Sequence, residues 1–185
     1  RGFYNCLNLF MHSLAFPGKN RYPVNKSIKN RCNYKMFIAD FHLHSKYSRA
    51  TSKACVPEML AFWGRRKGID VIGTGDFTHP AWREELKEKL IPSGEGLYTL
   101  KDDFHKEDRV AGANSPQFIV SGEISSIYKK NGRVRKVHNL IILPGLEHAE
   151  SIAHRLEAIG NLHSDGRPIL GLDSRDLLEI VLDLC

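Results

Sequence analysis

From Met36 onward, short apolar runs alternate with amphipathic segments, and this alternation leaves few folds open. "FIADFH" reads as a strand. "VPEMLAFWGRRKG" reads as a helix, with Pro57 near its first turn and Gly68 at its end. "IDVIGTGD" is a short buried strand, and "HPAWREELKEKL" is a helix with Pro80 in its first turn. Residues 91–115 are polar and contain glycine; they read as a long excursion of the kind that is often functional inside a domain. "QFIVSGEIS" follows as a third strand. "SIYKKNGRVRKVHNLIILP" has the form of a hairpin turning at Asn131-Gly132. "LEHAESIAHRLEAIG" is a helix closed by Gly160, "PILGLD" a strand, and "SRDLLEIVLDLC" a helix capped by Ser174. Strands and helices in this order, joined by right-handed crossovers, predict an α/β fold with a largely parallel sheet or barrel.

The 185 residues are enough for one domain, and 42% hydrophobic with 26% charged residues is a globular composition. No apolar run approaches the roughly 20 residues that span a bilayer. The net charge of +6 is unevenly spread. Residues 1–35 hold seven basic residues and no acidic one, leaving 20 basic and 21 acidic residues in 36–185. Overall basicity is therefore no argument for nucleic-acid binding, although a local patch remains open. Residues 1–35 are expected to be a disordered, dispensable leader, read through from upstream, with Met36 as the natural start. A transit peptide is the rival reading, but Pro17 and Pro23 interrupt any amphipathic helix there. The cysteines, Cys6, Cys32, Cys55 and Cys185, show no C-x-x-C pairing, which argues against a zinc ribbon or a disulfide framework. Free thiols and a cytoplasmic location are expected instead.

The chemistry lies at the strand ends. In "ADFHLHSKYS", residues two apart on a strand share a face, so Asp40, His42 and His44 line up. Two imidazoles so placed make half of a chelate. "GTGDFTHP" sets Asp76 after a strand and before a helix, where βα loops present functional groups, with His79 three residues on. Glu123, in "VSGEIS", ends an apolar strand where a carboxylate is costly to bury without a cation. It reads as a carboxylate bridging two metals, or as the partner of a nearby lysine. His138 opens the strand "KVHNLIILP". In an α/β sheet or barrel these ends converge on one rim, whereas His105, His148, His154 and His163 scatter. A mixed set of imidazole and carboxylate suits Zn²⁺, Mn²⁺ or Fe²⁺. Such a cluster activates water and holds phosphoryl oxygens, as phosphoester hydrolysis requires. Lys46, Arg49 and Lys53 are candidate contacts to a substrate phosphate, against the alternative of a solvated loop. "KKNGRVRK", residues 129–136, carries five basic side chains in eight positions. No G-x-x-x-x-G-K-[ST] phosphate loop is present, so no nucleotide cofactor is expected.

"DFHLHSKYS" resembles the first motif of the PHP (polymerase and histidinol phosphatase) superfamily. "ADFHLHSKYSRATSK", "GIDVIGTGDFTHPAW", "VHNLIILP" and "SDGRPILGLDSRDLLEIV" resemble endonuclease Q more narrowly, and the likeness covers residues 36–185. The resemblance implies an incomplete, distorted (β/α)7 PHP-type barrel holding up to three divalent metals, zinc foremost, with Mn, Mg or Fe as options. It also implies DNA nicking 5′ to deaminated or abasic bases, with damaged DNA as the partner. Its ligands would be His42, His44, Asp76, Glu123 and His138, together with His79. Two departures stand out. Thr74-Gly75-Asp76 replaces the usual Thr-Asp-His, and the superfamily's late histidine and final Asp-x-His have no counterpart before Cys185. The ligand set is thus expected to be partial and the 185-residue chain inactive alone. Two other readings remain: a PHP phosphatase acting on a small phosphomonoester, and a catalytically inactive metal-binding fragment.

Overall fold

A computed structural model describes residues 37–106 and 115–185, so the expectation of a disordered leader at 1–35 falls outside the described residues. In chain order the elements are β1 (Ala39–Asp40), α1 (Pro57–Lys67), β2 (Val71–Gly73), α2 (Pro80–Lys89), β3 (Leu90–Gly94) and β4 (Leu97–Leu100). After a 3₁₀ turn at Asp102–Phe104 come β5 (Gln117–Lys130), β6 (Arg133–Leu143), α3 (Leu146–Glu157), β7 (Ile169–Leu170) and α4 (Ser174–Leu184).

The sheet is built around β5. Its first residues lie between β2, which runs parallel (Val71↔Gln117, Gly73↔Ile119), and β4, which runs antiparallel (Leu97↔Ile119). Further along it pairs with β6, antiparallel from Val120↔Leu143 to Lys130↔Arg133, and with β7, parallel at Ser125↔Ile169. The result is a mixed seven-stranded sheet with β1 outside β2 and β3 outside β4. This corrects the expectation of a largely parallel sheet. The cause lies in residues 91–115, expected as a loop. "LYTL" buries Tyr98 and Leu100 by simple alternation, and β3 and β4 join the sheet as an antiparallel hairpin.

Local sequence accounts for most of the boundaries. Pro57 and Pro80 sit at helix starts, where the missing N–H costs nothing. Glu58 at the start of α1 and Arg65, Arg66 and Lys67 at its end suit the helix dipole. The β5–β6 turn has Asn131 at φ 53 and Gly132 at φ 72, the two left-handed residues that a type I′ hairpin requires. Three expectations shift. β1 is only two residues long, so His42 and His44 lie on extended chain beyond the ladder. α3 ends at Glu157, before Gly160. α4 is capped by Asp173, whose carboxylate accepts from the Arg175 N–H at 3.0 Å, rather than by Ser174. Among the described cysteines, exposed Cys185 is a free thiol and Cys55 is buried, and the expectation for Cys6 and Cys32 falls outside the described residues.

The core that carries the site is aromatic at its centre. Phe77, Trp82 and Phe118 are fully buried, each worth roughly 1.5–3 kcal/mol in transfer terms. Trp82 Nε1 donates to the carbonyl of Gly75 at 2.9 Å and lies 3.2 Å from that of Thr74. Ser121 N–H donates to Thr74 Oγ1 at 3.1 Å. The Thr74-Gly75-Asp76 segment is therefore clamped between α2 and β5.

A chain of charges ties α1 and α2 to the segment after His44. Lys46 pairs with Glu85 at 2.8 Å, Glu85 with Lys89 at 2.7 Å, and Lys89 with Glu58 at 2.7 Å. Burial opposes ionisation of Glu85, but the hydrogen bonds and charges of Lys46 and Lys89 outweigh it and hold its carboxyl below the ordinary range. A depressed folded value stabilises the fold above the unfolded one, and that contribution is lost as pH falls through the folded value. Glu85→Gln is expected to cost about 1.5–3 kcal/mol near neutrality. The gap from wild type should close as pH drops below about 4.3. Urea unfolding across pH measures it; a gap that does not change with pH would refute the assignment.

Candidate metal centre

Glu123 is the hub. It projects from β5 with only 3% of its surface exposed, and three histidines surround it. His42 Nε2 lies 2.7 Å from Oε2, and His44 Nε2 is 3.5 Å from the same oxygen. On the other side His138 Nδ1 lies 2.5 Å from Oε1, and Ser125 Oγ donates to Oε1 at 3.3 Å. The register explains His138: it stands opposite Ser125, on the face that also carries Glu123 opposite Leu140. Burial works against the Glu123 anion, but the His42 hydrogen bond and the field of His138 and His44 prevail, so its carboxyl lies below the usual range.

Asp76 is placed beside this hub. Its carboxylate is fully buried and each oxygen has its own partners. Oδ2 accepts from Ser45 N–H (2.7 Å), Ser45 Oγ (2.7 Å) and Ser48 Oγ (2.8 Å), while Oδ1 lies 3.1 Å from His44 Nδ1. With a cation bound between His44 and Glu123, a carboxylate at Nδ1 would favour the proton there and leave Nε2 to the metal. Asp76 has φ 49, a left-handed conformation that aspartate tolerates better than most residues. The backbone of Gly166 roofs the carboxylate, since a Cβ there would come within 2.2 Å of Asp76 Oδ2.

His42, His44 and Glu123 each offer a ligand atom, and these atoms lie within 4.8 Å of one another. Tetrahedral donors about 2.1 Å from a zinc ion sit about 3.4 Å apart, so the trio has the right span and the right chemistry for such a cation. The remaining expected residues fall elsewhere. His79 occupies the N-cap position of α2 without a side-chain capping bond, stacks on Tyr47 at 4.3 Å and sets Nε2 3.2 Å from the His163 carbonyl. Burial lowers its pKa and keeps the ring neutral. Asp40 accepts from the His42 N–H at 3.3 Å. Of the candidate phosphate contacts, Lys46 is taken by Glu85, Arg49 lies 3.4 Å from Asp165, and Lys53 reaches the Lys46 carbonyl at 3.5 Å. These three cations do not converge on the cluster.

Sequence reasoning overlooked Ser45, Ser48 and Gly166. The serines stood inside the motif "DFHLHSKYS" itself, but their partner is 28 or more residues away. Gly166 carried no local signal.

What fold and site define together is a mixed α/β protein with a histidine–carboxylate cluster at the heart of its sheet. The chain is related to endonuclease Q. It matches the structure of the lesion-specific endonuclease PfuEndoQ from Pyrococcus furiosus at 28% identity and a TM-score of 0.63, over 79% of this chain and 32% of that one. A structure of endonuclease Q with a 27-mer duplex substrate, carrying an abasic lesion at the active site, matches equally well. An uncharacterised protein of Methanocaldococcus jannaschii, MJ0043, is 32% identical over 146 residues, which is 78% of this chain and 15% of that protein. The chain thus spans less than a third of the solved endonuclease Q chains and less than a sixth of that curated relative. No family model matches it. Among the described residues, no helix is long and apolar enough to cross a membrane.

Proposed function

We propose that this chain contributes the histidine–carboxylate part of a divalent-metal centre that nicks DNA beside damaged bases, within a PHP-type barrel. The observation that carries this reading is the two-sided setting of Glu123. One oxygen faces His42 and His44 and the other faces His138, as a carboxylate shared by two cations would be placed. His42, His44 and Glu123 would hold one ion, with His138 beside a second. Asp76 orients His44 through Nδ1 and leaves Nε2 free to ligate. The bound metal would supply an activated water and charge stabilisation for the phosphoryl oxygens. The likeness to endonuclease Q structures, one of them holding a duplex with an abasic lesion, supports DNA as the substrate class over a small phosphomonoester.

A nicking assay on duplexes containing uracil or an abasic site, with Zn²⁺, Mn²⁺ or Mg²⁺, tests the reading. The 185-residue chain is expected to bind metal weakly and to leave both duplexes uncut. A polypeptide carrying it, of the length of the solved endonuclease Q chains, is expected to nick 5′ to the lesion. Hydrolysis of a small phosphomonoester without any nicking by that polypeptide would favour the phosphatase reading instead.

A further inference from the structure

The β5–β6 hairpin extends the metal cluster in one direction, and its charge is unlike that of the rest of the surface. Between Glu123 and Glu147 there is no acidic residue, while Lys129, Lys130, Arg133, Arg135 and Lys136 crowd the tip. Elsewhere basic side chains alternate with carboxylates that several of them engage: Lys46 and Lys89 with Glu85, and Lys87 with Glu84 and Glu150. On the hairpin, Lys130 pairs with Asp173 at 2.6 Å. Lys129, Arg133, Arg135 and Lys136 are exposed and have no ion-pair partner among the described residues.

The register divides these four cations. Directly opposed residues share a face, so Glu123/Leu140, Ser125/His138, Ile127/Lys136 and Lys129/Val134 form successive rungs on the side of the cluster. Arg133, Arg135 and Lys130 lie on the other side, where Lys130 meets Asp173 at the start of α4. A strand rises about 3.3 Å per residue, which puts Lys136 about 7 Å from His138 and Lys129 about 13 Å along the same line. Exposed Val134 stands opposite Lys129 on that face and exposed Leu140 stands opposite Glu123 at the cluster end, apolar surface for a sugar or a base.

We propose that this face of the hairpin is a rail for a nucleic-acid backbone, with Lys136 and Lys129 meeting phosphates that follow the one at the histidine–glutamate cluster. Arg133 and Arg135, on the far face, take no part. The proposal rests on the DNA reading above. Contacts of this kind position a strand without reading its sequence, and each releases counterions that make binding depend on salt.

The test compares Lys129→Gln/Lys136→Gln with Arg133→Gln/Arg135→Gln in the full chain. Fluorescence anisotropy measures binding to an abasic duplex and to its undamaged counterpart over a range of sodium chloride, with chelator present so that nothing is cut. Thermal unfolding checks that both variants keep the wild-type fold. The lysine pair is expected to flatten the plot of log affinity against log salt by about 1.8, and to weaken both duplexes roughly tenfold at low salt. The arginine pair should match wild type. Equal losses from both pairs, or none from the lysine pair, would overturn the rail while leaving the DNA reading intact. Absence of salt-dependent duplex binding by the wild-type chain would remove both.

Discussion

Asp76→Ala is expected to destabilise the protein by about 3–5 kcal/mol, the cost typical of removing one partner from a buried charged network. Four donors converge on its carboxylate: Ser45 N–H, the hydroxyls of Ser45 and Ser48, and His44 Nδ1. With the carboxylate gone they face a cavity roofed by Gly166, and each unsatisfied donor costs about 1–3 kcal/mol. Alanine at φ 49 adds backbone strain that aspartate bears more easily. In a domain of this size the loss lowers Tm by about 10 °C, which calorimetry reads directly. Asp76→Asn is the sharper probe, because asparagine fits the space and the left-handed backbone. It should cost less stability, yet still weaken metal binding by about 10–100-fold, since a neutral amide no longer fixes the Nδ1–H tautomer of His44. Wild-type zinc affinity in Asp76→Asn, measured by calorimetric titration, would show that Asp76 does not act through His44.

Glu123→Gln carries the other large effect. The amide keeps the shape of the side chain but removes the charge that faces His42, His44 and His138, and it presents an N–H₂ where a cation would sit. Affinity for a divalent metal is expected to fall by at least about 100-fold, the upper end of what even an outer-shell loss produces. Nicking by a polypeptide carrying the variant should disappear, while circular dichroism remains that of wild type. His79→Gln makes a useful contrast. That ring is engaged with Tyr47 and the His163 carbonyl, so its loss should act on stability and leave metal affinity within a few-fold. Comparable metal binding by Glu123→Gln and wild type would take Glu123 out of the centre.

The centre was legible in sequence where its chemistry follows strand periodicity. His42 and His44 alternate with Leu43, whose side chain is buried, whereas Glu123 and His138, expected at the end of one strand and the start of another, lie inside β5 and β6, which run on past them as one long hairpin. The hairpin was legible from Asn131-Gly132 alone, because so few residues accept two consecutive left-handed conformations. What periodicity does not encode is orientation. Asp76 has the residue type and position of a ligand, yet both of its oxygens are engaged by side chains 28 to 32 residues away. Lys46 sits two residues from His44 but turns to Glu85 on α2, a pairing no local pattern announces. The β3–β4 hairpin was hidden for a different reason. Four residues of alternation, flanked by glycines and charges, are too short to stand out until the partner strand is known.

β5 joins segments that are far apart in the chain: it touches residues 71–73, 97–98, 133–143 and 169–170 along one continuous strand. The hairpin with β6 is local and closes quickly, whereas the pairings with β2 and β7 must each close a long loop first. Glu123 and His138 are therefore expected to come together early in folding, and His42 and His44 to reach them only after the parallel half of the sheet has formed. Cation binding at this centre would consequently mark the completion of folding, and in a refolding reaction it would appear in the slowest phase.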